Sequence, residues 1–209
     1  MIITEIAEIS KKQSRICVDR ELSFVLYKGE LRRYGIAENQ ELPRETYREM
    51  MEELLPRRAK LRAMNLLKSR DYTEKQLGDK LRDGGYPEPV VQQAMEYVKA
   101  FHYIDDLRYA ESYLKTFSGR KSLRRMEQEL QQKGISRPVL EQAIDSWQQQ
   151  DGGQDELQMA CRLLEKKHYD RENCSLKEKQ KLYSFLMYKG FSAEVIRRAL
   201  KAEEDEWQA

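Results

Sequence analysis

The sequence predicts a mainly α-helical protein, built as a tandem array of three three-helix repeats behind a small β-rich N-terminal extension. Two observations predict it. One apolar pattern that contains a glycine occurs three times, with helical spacing, within residues 77–199. Residues 2–27 instead alternate apolar and polar positions, as strands do. With 35% charged and 40% apolar residues, the 209-residue chain has the balance of a soluble helical protein with much exposed surface.

The repeated pattern contains two apolar residues four positions apart, a glycine four positions later, and then a valine and an alanine. Its three copies are Leu77, Leu81, Gly85, Val90 and Ala94; Met126, Leu130, Gly134, Val139 and Ala143; and Leu182, Leu186, Gly190, Val195 and Ala199. The second and third copies lie 49 and 105 residues after the first. Each glycine is expected to end a helix in the left-handed conformation. Repeats of this length bury their apolar faces against neighbouring units, which indicates a helical array.

The extension, assigned to residues 1–50, is expected to form a three-stranded antiparallel meander. Ile16 alternates with Val18, and Phe24 with Leu26, as expected of strands. A short helix over residues 29–36 is expected to pack on the sheet, because so small a sheet needs a partner to be stable.

Repeat 1 is assigned to residues 57–103. A helix is expected to begin at Pro43, where the missing N–H costs little, and to run toward Ser69 with a break or kink at Pro56. Thr73 and Gln76 have the spacing of a capping box, which predicts the start of the second helix.

Repeat 2 is assigned to residues 104–150. Asp105 or Asp106 can cap its first helix, and Gly119 ends that helix. Its third helix is expected to begin after Ser136.

Repeat 3 is assigned to residues 154–205. Residues 148–155 contain two adjacent glycines and predict a linker between repeats 2 and 3. A six-residue insertion is expected around residues 169–174, Ser192 is expected to cap the last helix, and the tail after Lys201 is expected to fray.

Charge is segregated along the chain, although the net charge is only +2. Residues 57–82 hold nine Lys/Arg and three acids, and residues 115–137 hold seven Lys/Arg and two acids. Residues 203–206 are all acidic. This distribution suggests a polyanion or an acidic protein groove as partner, and the alternative is that the cations only solvate helix surfaces.

The basic face of repeat 2 is the strongest candidate site. Its four cations, Arg120, Lys121, Arg124 and Arg125, fall within six residues, and none of these charges fits an apolar core. Lys121 and Arg125 are four apart and are expected to point away from the apolar stripe of Leu123, Met126 and Leu130. Reversing both charges is therefore expected to leave the fold intact.

Tyrosines among the basic residues could stack on unpaired bases. Tyr109 and Tyr113 lie four apart on one helix, close to its apolar stripe, and burial in the core is the favoured interpretation for both.

The sequence offers little for catalysis or for a cofactor. The two histidines, His102 and His168, give histidine-based chemistry little to build on. Cys161, His168 and Cys174 do not have the spacing of a structural zinc site, and no glycine-rich phosphate loop follows a strand. We therefore expect neither catalysis, nor a cofactor, nor a metal. No apolar run suits a membrane helix and no signal-peptide pattern is present, so we expect a cytoplasmic protein, and we expect it to be a monomer.

Several of these features together resemble the RecX family. They are the run Asp105-Asp106-Leu107-Arg108-Tyr109-Ala110, the glycine at position 119, the run from Arg125 to Ile135 with Glu129, Leu130, Lys133 and Gly134, and the tandem three-helix repeats. The resemblance covers about residues 60–202, and residues 1–50 lie outside the shared core of the family. Members of that family regulate the RecA recombinase in DNA repair, homologous recombination and the SOS response.

The resemblance implies a partner and a mechanism. It implies that the helical array lies in the groove of the RecA–DNA filament, bridges successive protomers, and inhibits filament growth, ATP hydrolysis and strand exchange. No family motif marks individual contact residues, so charge and position select the candidate contacts with RecA or DNA. They are Arg58, Arg62, Arg108, Lys115, Arg120, Lys121, Arg124, Arg125 and Lys133.

Two alternatives remain open. One is a nucleic-acid-binding protein that uses its basic helix faces without RecA, and the other is an α-helical scaffold for a different acidic partner. In the RecA interpretation we also expect weak binding to bare single- or double-stranded DNA. Direct binding to DNA should fall steeply with salt, because phosphate contacts release counterions.

Overall fold

The fold class predicted from the sequence is confirmed by a computed structural model, which describes residues 1–170 and 173–201. The strands are β1 (Ile3–Ser10), β2 (Gln13–Val18) and β3 (Leu22–Tyr27). The helices are α1 (Lys28–Arg33), α2 (Arg44–Glu49), α3 (Leu55–Ser69), α4 (Glu74–Asp83), α5 (Glu88–Ala100), α6 (Asp106–Phe117), α7 (Leu123–Gln132), α8 (Arg137–Asp151), α9 (Glu156–Glu165), α10 (Leu176–Tyr188) and α11 (Ala193–Lys201). Among the residues described, no helix combines the length and apolar character that crossing a membrane requires.

The chain divides into two compact units, Met1–Asp105 and Asp106–Ala209. The first unit contains the sheet, α1, α2 and the helices α3–α5 of repeat 1. The second contains α6–α8 of repeat 2 and α9–α11 of repeat 3.

The extension is the antiparallel meander that its alternation predicts, with strand order β1-β2-β3. Ile16, Val18, Phe24 and Leu26 are all buried, so one face of the sheet packs into the core of the first unit. Apolar residues of the sheet and of repeat 1 form one continuous cluster there. The extension therefore shares its core with repeat 1.

The second face of β3 is also covered, because Val25 packs against the end of α4. The amide of Val25 donates a hydrogen bond of 3.2 Å to the carbonyl of Gly85. A Cβ at Gly85 would lie 2.1 Å from Cγ2 of Val25. Only glycine permits this approach, so the glycine of the first repeat also serves as the docking point for the strand.

The expected break at Pro56 takes the form of a π-helical segment. Met50–Leu54 forms this wider turn, between α2 and the start of α3. Proline lacks the N–H for an α-helical bond and its ring crowds the preceding turn. The wider turn gives the ring room without ending the helical path.

The glycines of the three repeats end α4, α7 and α10 in the same way. Gly85, Gly134 and Gly190 have φ angles of +77°, +97° and +92°. The next residue in each case, Tyr86, Ile135 or Phe191, donates its amide to the carbonyl of Leu81, Leu130 or Leu186 at 3.4, 3.1 and 3.2 Å. The leucine of the pattern therefore fills the core and accepts the closing hydrogen bond, which confirms the predicted left-handed stops.

Each repeat of the second unit has its own apolar cluster. Met126, Leu130 and Trp147 are buried in repeat 2, and Leu164, Leu186 and Ile196 are buried in repeat 3. The predicted caps are also present: Thr73 and Gln76 form a capping box on α4, and Ser192 accepts from the amide of Val195 at 3.2 Å.

The predicted linker at residues 148–155 is wrong in its first half. Helix α8 continues to Asp151, and Gly152 ends it with a φ of +71°. The predicted insertion at residues 169–174 lies partly outside the described residues, and the tail after Lys201 with its acidic run lies entirely outside them.

Candidate partner-binding surface

The N-terminus of α7, where the sequence placed the basic cluster, is the joint between repeats 2 and 3. Ser122 caps the helix by accepting from the amide of Arg125 at 3.3 Å. From repeat 3, Oε1 of Glu156 accepts from the amide of Leu123 at 2.6 Å. Of the amides that the start of the helix leaves unpaired, that of Arg125 is satisfied within repeat 2 and that of Leu123 by the neighbouring repeat.

Three further hydrogen bonds close this joint. Gln154 accepts from the amide of Gly119 at 2.9 Å and donates to the carbonyl of Lys121 at 3.0 Å. The hydroxyl of Ser122 donates to the carbonyl of Lys189 at 2.8 Å. The second half of the predicted linker is therefore an ordered connection that fixes the basic cluster against repeat 3.

Two cations of the basic cluster form ion pairs with one carboxylate of their own repeat, that of Glu129. Nζ of Lys121 lies 2.5 Å from Oε2 of Glu129, and Nε of Arg125 donates to Oε1 of Glu129 at 2.8 Å. Lys121 also donates to the hydroxyl of Tyr113 at 2.9 Å and lies 3.9 Å from the ring centroid of Phe117. The expectation that the Lys121 side chain points away from the core is therefore wrong, because its ammonium lies over the ring of Phe117 and hydrogen-bonds to the buried Tyr113.

The network sets the protonation of Glu129. Its partial burial by itself would raise the pKa, but hydrogen bonds from Lys121, Tyr113 and Arg125 outweigh that effect and lower the pKa of Glu129 from 4.5 to about 2. Glu129 therefore stays ionised and holds two cations in place across the ordinary pH range.

Arg58 is likewise used inside the fold. Its guanidinium donates to Glu30 at 2.8 Å and to the carbonyl of Val25 at 3.2 Å. It lies over the rings of Tyr27 and Tyr86, with 4.3 and 5.7 Å to their centroids. The Arg58 and Glu30 side chains are 14% and 17% exposed, so this contact joins the extension to repeat 1 instead of facing a partner.

The other residues predicted to contact RecA or DNA differ in whether they form contacts inside the fold. Arg62, Arg120 and Arg124 are exposed and form no ion pair within the described part of the chain. Arg108 is exposed as well. Lys115 pairs with Asp151 at 3.3 Å, and Nζ of Lys133 lies 5.8 Å from the ring centroid of Tyr113. Tyr113 itself is buried, in line with the favoured interpretation.

A cleft of about 530 Å³ opens beside the joint, between repeats 2 and 3. Its lining contains six cations and one carboxylate: Arg120, Lys121, Arg125, Arg162, Lys166, Lys189 and Glu129. The sequence did not single out Arg162, Lys166 or Lys189, which repeat 3 contributes. The four-residue spacing of Arg162 and Lys166 on one helix was the signal available, but only folding brings them next to the basic cluster.

Potential metal ligands do not gather: among the described residues, no three His, Cys, Asp or Glu side chains lie close enough to hold an ion. Cys17, Cys161 and Cys174 are free thiols.

The three-helix repeats match family models in order. Residues 59–97 match the first three-helix domain of RecX, residues 105–144 the second, and residues 154–200 the third. The chain belongs to the RecX family. The matched domains coincide with the helical triplets α3–α5, α6–α8 and α9–α11.

Individual RecX relatives support this membership. The chain is 29% identical over 202 residues to the regulatory protein RecX of Caldanaerobacter subterraneus subsp. tengcongensis, covering 96% of this chain and 98% of that one. It is 36% identical over 142 residues to the regulatory protein RecX of Vibrio vulnificus, covering 68% of this chain and 90% of the relative. A crystal structure of a regulatory protein RecX superposes with a TM-score of 0.63 at 24% identity, over 97% of this chain and 99% of that one, and shows the shared fold.

Proposed function

We propose that this chain regulates RecA by binding the RecA–DNA filament in its groove, where it inhibits filament growth, ATP hydrolysis and strand exchange. Membership of the RecX family carries the proposal, because relatives that match over most of their length are named regulatory proteins. The tandem repeats suit a polymeric partner, since equivalent elements recur along the chain as protomers recur along a filament.

The exposed cations of repeat 2 support an acidic partner. Arg120 and Arg124 form no ion pair within residues 1–170 and 173–201, and Arg124 interacts with the carboxylate of Glu127 only through a longer-range attraction. Arginine presents a planar fork that matches phosphate and carboxylate oxygens. Lys121 and Arg125 are held by Glu129, so we assign them to shaping this surface more than to binding.

ATP hydrolysis by RecA on single-stranded DNA tests the proposal. The unmodified chain should lower the rate, and it should be retained more tightly on RecA-coated strands than on bare strands. The double variant Arg120→Glu with Arg124→Glu should inhibit less, mainly through slower association. Its matched control, Arg197→Glu with Arg198→Glu, makes the same charge change at two exposed positions of α11.

The outcomes separate the alternatives. Equal retention on bare and RecA-coated strands would replace the proposal with direct nucleic-acid binding. An unchanged rate of ATP hydrolysis together with no retention on either substrate would reject both.

A further inference from the structure

The cleft between repeats 2 and 3 has a surplus of positive charge that no carboxylate among the described residues neutralises. Arg120 lies on the side of repeat 2, and Arg162, Lys166 and Lys189 lie on the side of repeat 3. None of these four forms an ion pair among the residues described. Arg162 donates to the neutral amide of Gln158 at 2.8 Å, and Nζ of Lys189 lies 5.7 Å from the ring centroid of Phe185. The one carboxylate in the lining, Glu129, is already bound by two cations of its own.

An exposed aromatic ring lies at the same cleft. Tyr188 ends α10 next to Lys189, lines the cleft, and is 81% exposed. Phe191 and Met159, which also line the cleft, are buried, and Leu163 is partly buried. Proteins that bind unpaired bases combine exposed rings with cations, whereas the core of a protein–protein interface is a broader apolar patch depleted of charge.

We propose that this cleft binds single-stranded nucleic acid, with its cations on successive phosphates and Tyr188 stacked on an unpaired base. The inference rests on the proposed function for the source of the strand, because a RecA–DNA filament contains one. Duplex nucleic acid fits less well, since its bases are stacked on each other and offer no face to Tyr188.

The test measures binding of a fluorescently labelled oligothymidylate by fluorescence anisotropy, without RecA. The cleft variant combines Arg162→Gln, Lys166→Gln and Lys189→Gln. Its control combines Lys177→Gln, Arg197→Gln and Arg198→Gln, which removes the same charge from exposed positions of repeat 3 outside the cleft. Loss of three phosphate contacts should lower the slope of log affinity against log salt by about 2, since each contact on a single strand contributes about 0.7. The control should retain most of the slope.

The stacking contact has its own readout. Tyr188→Ala should weaken oligothymidylate binding by about fivefold or more, the lower range for one stacked base, and Tyr188→Phe should restore it. The high exposure of this side chain means that neither variant should change thermal unfolding.

Several results would overturn the proposal. They are the absence of saturable binding by the unmodified chain, equal weakening in the cleft and control variants, and equal affinity for duplex and single strands. Competition by polyglutamate as strong as by oligothymidylate, with Tyr188→Ala unchanged, would assign the cleft to an acidic protein segment.

Failure of this inference is distinguishable from failure of the proposed function. The anisotropy assay contains no RecA, and the ATP hydrolysis assay measures regulation whether or not this cleft binds DNA. If the cleft variant binds oligothymidylate as the unmodified chain does, the inference is rejected. If the same variant also inhibits RecA, the proposed function stands.

Discussion

The hydroxyl of Ser122 donates a 2.8 Å hydrogen bond to the carbonyl of Lys189, and so joins the start of α7 in repeat 2 to the end of α10 in repeat 3. Ser122 is buried, and its hydroxyl oxygen lies only 2.5 Å from the position that a Cβ on Gly190 would occupy. The glycine of the repeat pattern therefore does two things in repeat 3. It ends a helix, and it lets the neighbouring repeat approach.

We expect Gly190→Ala to destabilise the second unit by more than the roughly 1–2 kcal/mol that a left-handed residue other than glycine costs. The added methyl group would also displace Ser122. Gly119→Ala is the control, because Gly119 has a comparable φ of +71° but open space around its Cβ position. Urea unfolding, followed by the fluorescence of buried Trp147 in a Trp207→Phe background, measures both. Equal losses would mean that the close approach to Ser122 contributes nothing.

We expect Glu129→Gln to reduce stability at neutral pH and to make stability decrease less as the pH is lowered. The folded pKa of Glu129, about 2, lies below the ordinary 4.5, so its contribution is present above pH 4.5 and is lost as the pH falls toward 2. Thermal unfolding across that window measures the effect. Glu141→Gln is the control, because its pair with Arg137 is exposed and should contribute little. Parallel pH profiles for Glu129→Gln and the parent would refute the network.

Arg58→Ala should destabilise the first unit by about 1.5–3 kcal/mol, the range for a hydrogen bond to a charged group, because the largely buried Glu30 loses its ion-pair partner and keeps only the amide of Tyr27. Loss of the contacts with Tyr27 and Tyr86 adds to this. Arg62→Ala, four residues along the same helix but exposed, should change stability by less than about 0.5 kcal/mol. Urea unfolding followed by circular dichroism compares them. A cost at Arg62 as large as that at Arg58 would contradict the assignment of Arg58 to the core.

Leu130→Ala should cost about 2–5 kcal/mol, because Leu130 is fully buried in the apolar cluster of repeat 2 and its truncation leaves a cavity there. Leu61→Ala removes the same atoms from a side chain that is 63% exposed and should cost far less. The same Trp147 fluorescence measurement reports the loss in repeat 2, and circular dichroism reports the control. A loss under about 1 kcal/mol at Leu130, well below the range for buried leucines, would mean that it does not fill the core.

The sequence by itself determined the helical array, the N-terminal meander, the glycine stops and most caps. These depend on local periodicity and on the conformations that single residue types allow, which are readable along the chain. The membership of Leu130 in the core followed from the same periodicity.

Only the tertiary structure decided which cations form contacts inside the fold and which remain exposed. Arg58 and Arg62 are both basic and one turn apart, yet the guanidinium of Arg58 contacts two tyrosine rings and Arg62 is exposed. Lys121 and Lys189 are 68 positions apart in the chain, yet they line one cleft. Periodicity identifies the face of a helix on which a charge lies. Whether that charge is paired depends on which distant segment packs against that face, and only the folded chain determines this.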